Sequence, residues 1–166
     1  MTDLESRIFL VAYAASNLAA IIMLYAALKW PRVARVLFFL LFAWACWANW
    51  EISTESPNLY LQYADAAFLD IYKQFINGWF SSHIQLMVGF IATCQGLIAL
   101  SMFMKGWIFK TGCTGGIVFL ISILPLGFYA AFPCTSIMAI AMFIMLRKQN
   151  SFTWSHQSFQ IKKQTV

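Results

Sequence analysis

His83 is the residue whose chemistry is most readily connected with a function, because it lies about one turn inside a long apolar stretch and is followed closely by Gln85. An imidazole in such a place can hydrogen-bond a quinone carbonyl, ligate a metal ion or relay a proton. The alternative is an interfacial histidine that is hydrogen-bonded to water, Ser81, Ser82 or Glu51. The sequence leaves both interpretations open.

Trp50 and Glu51 close the preceding apolar stretch, so we expect them near the depth of His83. We therefore predict a quinone pocket on the outer face, formed by His83, Glu51, Trp50 and Gln85. No other cofactor is evident from the sequence. No catalytic residue is assigned, and the question of whether the protein is an enzyme stays open.

Other chemistry is poorly supported by the residue types and their spacing. The second histidine, His156, lies in a polar tail, which disfavours a bis-histidine haem within one chain. No set of side chains reaches the three or four ligands that zinc needs, so we predict no metal site. The four cysteines form no Cys-x-x-Cys pair, which argues against a thiol-disulfide enzyme and favours small buried thiols.

Five apolar stretches must position these side chains. The composition is 61% hydrophobic and 10% charged, against roughly 25% charged in soluble domains, and a helix that crosses a bilayer needs about 20 apolar residues. We predict an all-α, polytopic transmembrane helical bundle with four core helices and one extra N-terminal helix. The predicted spans are residues 8–28, 33–50, 79–104, 111–128 and 131–147.

The last two spans come from one uncharged stretch, from Thr111 to Leu146. It is too long for one span and barely long enough for two. Pro125, Gly127 and Pro133 punctuate its middle, which predicts a helical hairpin with a tight outer turn. The alternative, a single kinked helix, would place Arg147 and Lys148 outside the cell.

The long loop between the second and third spans contains a helical pattern. Ser56 followed by Pro57 is a helix-start signal. Apolar residues then recur at spacings of three and four, at positions 61, 64, 68, 71, 75 and 79. The pattern predicts an amphipathic helix at about residues 57–76 that rests on the outer membrane surface or caps the bundle.

Charge is sorted between the two sides of the predicted spans. Acidic residues precede the first span and fill the long loop, whereas lysines and arginines fill the alternate gaps and the tail at residues 149–166, and only Arg7 and Lys73 break this pattern. Lys- and Arg-rich loops stay in the cytoplasm, so we predict the inner (plasma) membrane, an outer N-terminus and a cytoplasmic C-terminus. The cations lie beside apolar spans, so anionic lipid head groups are the expected partners and nucleic acid is not.

Uncharged polar and small residues inside the spans suggest how the helices associate. Gln95, like Asn17, Thr93 and Ser122, can hydrogen-bond between helices. Gly112 and Gly116 form a Gly-x-x-x-Gly spacing that lets backbones approach closely. We predict packing inside the bundle, with a dimer interface as the alternative.

The layout of residues 33–146 resembles that of the DoxX-like family of small bacterial membrane proteins. The shared features are a core helix, a long outer loop and three closely connected helices. The turn from Met104 to Lys110, followed by the glycines from Gly112 to Gly116, looks like the family's connection between its second and third core helices. The resemblance implies a subunit of a quinone-linked oxidoreductase.

Three functions are consistent with this sequence. The first is a non-catalytic or accessory membrane protein that binds a membrane protein partner or lipid through its spans, which the absence of charge within the spans favours. The second is the quinone-linked subunit. The third is a transporter of a neutral or lipid-like solute, although matching helix interruptions in two halves are missing.

Overall fold

A computed structural model describes residues 3–130 and 132–148, and every regular element within them is helical. The helices are α1 Asp3–Lys29, α2 Pro31–Glu55, α3 Tyr63–Ala66, α4 Asp70–Phe75, α5 Ile84–Ser101, α6 Gly106–Ser122 and α7, residues 134–148. Shorter 3₁₀ or π turns cover Pro57–Gln62, Ile76–Phe80 and Leu124–Ala130. The predicted tail at residues 149–166 lies outside the described residues.

Three of these helices are long and apolar enough to cross a membrane: Phe9–Lys29 within α1, all of α2, and α5. Helix α6 is also apolar but has only 17 residues. The apolar helices are those of a small membrane protein, and the predicted all-helical class is confirmed for the described residues.

The helices differ from the predicted spans at several boundaries. Helix α6 is Gly106–Ser122 where the span 111–128 was predicted, so its connection to α7 is longer than the predicted tight turn. Helix α2 begins earlier, at Pro31, because proline is well suited to the first position of a helix. The segment predicted as one span over residues 79–104 is a regular helix only from Ile84 to Ser101. Gly78 has φ −96° and ψ −110°, which no helix accommodates, and a π turn replaces the first predicted turns.

Helix α2 lies at the centre of the bundle, packed along α5 and against α1. Its Phe38 and Phe42 are among the largest fully buried side chains. Small residues on α1 allow that helix to approach closely, since Ala20 and Ala27 are wholly buried. Helices α6 and α7 complete the same core with Phe109, Cys113, Leu120, Met138, Met142 and Met145.

The glycines of α6 pack against neighbouring helices of the same bundle, as predicted. A side chain at Gly112 would collide with Ser101 of α5. A Cβ at Gly116 would lie 2.7 Å from the Sδ of Met142 on α7. The contact between positions 116 and 142, on either side of the turn at Leu124–Ala130, makes α6 and α7 antiparallel neighbours rather than one kinked helix.

The predicted continuous helix over residues 57–76 is instead three short pieces. Ala67 and Leu69 are extended, with ψ values of 133° and 130°. Between them the backbone N–H of Phe68 donates to the carbonyl of Pro125, at 2.8 Å. The sequence has helical periodicity here. In a continuous helix the N–H of Phe68 would donate to a carbonyl of the preceding turn, but it donates to the α6–α7 turn instead.

These short pieces cap one end of the bundle. Ala64, Ile76 and Phe80 are buried, and they pack with Ile84 and Val88 at the start of α5. The hydroxyl of Tyr72 donates to the carbonyl of Ser122 at the end of α6, at 2.9 Å. The loop is therefore fixed to the helix ends rather than lying apart from them.

Candidate functional site

The short pieces between α2 and α5, over residues 57–80, are here called the capping layer. A chain of three hydrogen-bonded polar side chains runs from this layer into the bundle. The hydroxyl of Tyr60 donates to Oδ1 of Asn49, at 2.8 Å. Nδ2 of Asn49 in turn donates to Oε1 of Gln95 on α5, also at 2.8 Å. Gln95 is only 2% exposed, so this amide would be costly to bury without its partner.

The turn after α2 positions Tyr60. Ser56 ends α2, and Pro57 begins the 3₁₀ helix Pro57–Gln62 that folds back over the helix end. The ring of Tyr60 stacks on that of Tyr63, with centroids 6.2 Å apart. Burial raises the pKa of Tyr60 to about 12 and also raises the pKa of Tyr63, so both phenols stay neutral near pH 7.

A recess of about 210 Å³ opens beside this chain of hydrogen bonds. Its lining is Ile52, Leu59, Tyr60, Gln62 and Tyr63. The lining combines apolar surface with two phenols and an amide but no charged group.

His83 lies on the outside of the capping layer. Its Nδ1 is 2.9 Å from the carbonyl oxygen of Trp79. Its ring stacks on that of Trp79, with centroids 4.4 Å apart and an angle of 10° between the planes. When Nδ1 carries the proton and donates to this carbonyl, Nε2 is left as a hydrogen-bond acceptor.

The other three residues of the predicted quinone pocket lie on α2 and α5. Trp50 packs against Gly89 of α5, since a Cβ there would lie 3.3 Å from the indole. Glu51 and Gln85 are exposed. Among the described residues, no hydrogen bond, ion pair or ring contact joins two of the four side chains, and the pocket stays a prediction.

The interhelical role predicted for Gln95 is confirmed by its bond to Asn49. The other polar residues considered with it bond within their own helices: Asn17 to the carbonyl of Tyr13, Thr93 to Gly89 and Ser122 to Val118. Sequence reasoning missed Tyr60, because its partner is 11 residues away and no local pattern marks a tyrosine that folds back onto a helix end.

The part of the chain that the structure describes contains no group of three or more potential metal ligands. All four cysteines are free thiols, and Cys113 and Cys134 are buried.

The opposite end of the bundle is basic. Nζ of Lys148, at the end of α7, donates to the carbonyl of Ala27 at 3.0 Å and also to that of Leu28. Nη1 of Arg35 donates to the carbonyl of Met104 at 3.2 Å. The α1–α2 turn, the α5–α6 turn and the end of α7 therefore meet at one end, here called the basic end. The acidic residues Glu51, Glu55, Asp65 and Asp70 lie at the other, the acidic end.

The chain matches no family model, no curated protein and no solved structure. The resemblance of its layout to the DoxX-like family accordingly stays a hypothesis. The function must be inferred from the side chains and their contacts.

Proposed function

We propose that this protein is a small accessory subunit of the plasma membrane, without catalytic activity, that binds a membrane protein partner or lipid through its spans. The observation that carries the proposal is the chemistry of the core. The described buried polar side chains are Ser53, Gln95, Ser101 and Thr135, none of which ionises near pH 7. Such a core offers neither a proton relay nor a carboxylate for coupled transport.

Tryptophans at the two ends of the bundle support the membrane placement. Trp30 and Trp107 are exposed at the basic end, and Trp50 and Trp79 are exposed at the acidic end. The 20 residues from Trp30 to Trp50 along α2 correspond to about 30 Å of helix. This is about the thickness of the hydrocarbon core, at whose two boundaries indole rings are enriched.

The sorting of charge supports an orientation. The basic end carries Lys29, Arg32, Lys105, Arg147 and Lys148, and such turns are retained in the cytoplasm. We accordingly place the acidic end and the N-terminus outside and the C-terminus inside.

Native mass spectrometry of the protein, solubilised gently from its own membrane, tests the accessory role. We expect a stoichiometric protein companion or a retained lipid. Two matched variants locate the contact: Leu18→Ala with Ile22→Ala on the exposed face of α1, and Leu86→Ala with Phe90→Ala on the exposed face of α5. If only one variant loses the bound protein or lipid, its substituted face is the binding face. Turnover of a quinol by the purified protein on its own would contradict the proposal.

A quinone-linked subunit is the second candidate, and the stack of His83 on Trp79 favours it. The flat aromatic surface and the accepting Nε2 are what a quinol ring and hydroxyl require. We expect co-purified quinone to fall about two- to tenfold in His83→Leu, the range for loss of one hydrogen bond between neutral groups. Ser82→Ala is the control. Equal quinone content in all three proteins would rule this candidate out.

A further inference from the structure

One face of α2 at the basic end has the polarity of a lipid-binding surface. Arg35, Val36 and Phe39 lie three, four and seven residues after Arg32, so the four residues share this face. Arg32 is exposed and Val36 is 45% exposed. Along α2, the two arginines at the basic end are thus followed by apolar side chains closer to the middle of the helix.

The α5–α6 turn extends the same surface. The hydrogen bond from Arg35 to the carbonyl of Met104 brings the next residue, the exposed Lys105, beside α2. The guanidinium of Arg35 also lies over the ring of Phe109, 3.7 Å from its centroid, which fixes its position.

An aromatic pair continues the apolar part of this surface. The rings of Phe39 and Phe103 lie 4.7 Å apart, and Phe103 is 56% exposed. Helix α2 and the α5–α6 turn therefore each contribute a cation and an aromatic ring to this surface.

We propose that this surface binds one anionic phospholipid, with its phosphate between Arg32 and Lys105 and an acyl chain along Val36, Phe39 and Phe103. The proposal rests on the membrane placement proposed above but not on the accessory role. The positive charges of Arg32 and Lys105 favour an anionic head group over a neutral one. Glu51, Glu55, Asp65 and Asp70 belong to the opposite end and do not neutralise these cations, whereas lipid phosphate lies at the membrane surface beside them.

The test is native mass spectrometry of the full chain in detergent with equal amounts of phosphatidylglycerol and phosphatidylcholine. We expect the wild type to retain phosphatidylglycerol preferentially. The double variant Arg32→Gln, Lys105→Gln should lose about tenfold or more of that preference, because each cation near the membrane surface contributes to anionic lipid binding. The conservative variant Arg32→Lys, Lys105→Arg should keep it.

Lys73→Gln, which removes a cation from the acidic end, is the matched control and should leave the preference unchanged. A wild type without preference, or a double variant that retains it, overturns the proposal. Complete displacement of the lipid by millimolar inorganic phosphate would also overturn it, since the acyl chain would then contribute nothing. Failure of the membrane placement is separable, because the protein would then be released from membranes by alkaline carbonate.

Discussion

At the residue scale, the notable feature is the hydrogen-bond chain from Tyr60 through Asn49 to Gln95. It provides the buried amide of Gln95 with a partner and connects that amide to the capping layer. Gln95 stands out in an apolar stretch, and an interhelical role could be predicted for it because an unpaired amide in hydrocarbon is costly. Its partner could not be predicted, because which face of α2 meets α5 depends on the packing of the whole bundle. The same holds for Tyr60, which reaches Asn49 only after the chain has turned at Pro57.

A double-mutant cycle measures the amide pair directly. Asn49→Leu and Gln95→Leu should each destabilise the bundle, since the first leaves Oε1 of Gln95 unpaired and the second leaves Nδ2 of Asn49 unpaired. The two changes together should cost less than their sum, with a coupling of about 0.5–2 kcal/mol. Unfolding in mixed micelles provides the free energies, and strictly additive effects would show that the pair is not coupled.

The pH dependence of Tyr60 follows from its burial. Its pKa is raised from 10.0 to about 12, so the folded chain holds the phenolic proton more tightly than the unfolded chain does. Its stabilising contribution is complete below about pH 10 and is lost as the pH rises from there through about 12. We expect the tyrosinate absorbance of the wild type to contain a component near pH 12 that is missing in Tyr60→Phe.

Tyr25→Phe is the control for that titration, because Tyr25 is 52% exposed on α1 and lies far along the chain from the capping layer. The component near pH 12 should persist in this variant. Identical titration curves for the wild type and Tyr60→Phe above pH 11 would contradict the assignment.

At the element scale, apolar length and punctuation predicted the helices better than periodicity did. The hairpin of α6 and α7 followed from an uncharged stretch interrupted by prolines and glycine. The loop over residues 57–76 carried a clear helical period, yet it is broken near Phe68, whose N–H bonds the α6–α7 turn. Local pattern cannot reveal such a competing hydrogen bond, because its acceptor, Pro125, is distant in sequence.

The glycines of α6 provide a test of helix packing. Gly112→Ala should destabilise the bundle by about 1–3 kcal/mol, because the added methyl group meets both Oγ and Cβ of Ser101. Gly115→Ala is the matched control, since a Cβ there would lie 3.8 Å from Ile98, an ordinary contact. It should be neutral or stabilise the helix by up to about 1 kcal/mol. Thermal unfolding in detergent measures both, and equal stabilities would place Gly112 away from α5.

At the scale of the whole molecule, charge defines two ends that the fold brings together in space. Hydrogen bonds from Arg35 and Lys148 join two turns and the end of α7 at the basic end, and the end of α2 and the capping layer carry the acids of the other. Charge order along the chain was sufficient to predict this sorting, because helices that alternate in direction bring alternate turns to the same end. The quinone pocket stays a prediction, since it requires contacts between specific faces of separate elements, and charge order does not specify those faces.

Substituted-cysteine labelling in intact cells tests the central claim, which is a bundle that crosses the membrane with its acidic end outside. In a background with the four native cysteines replaced by serine, Glu55→Cys and Lys105→Cys each provide one exposed thiol at opposite ends. We predict that a membrane-impermeant maleimide labels Glu55→Cys in intact cells and Lys105→Cys only after permeabilisation. Labelling of both positions from the same side would contradict the account.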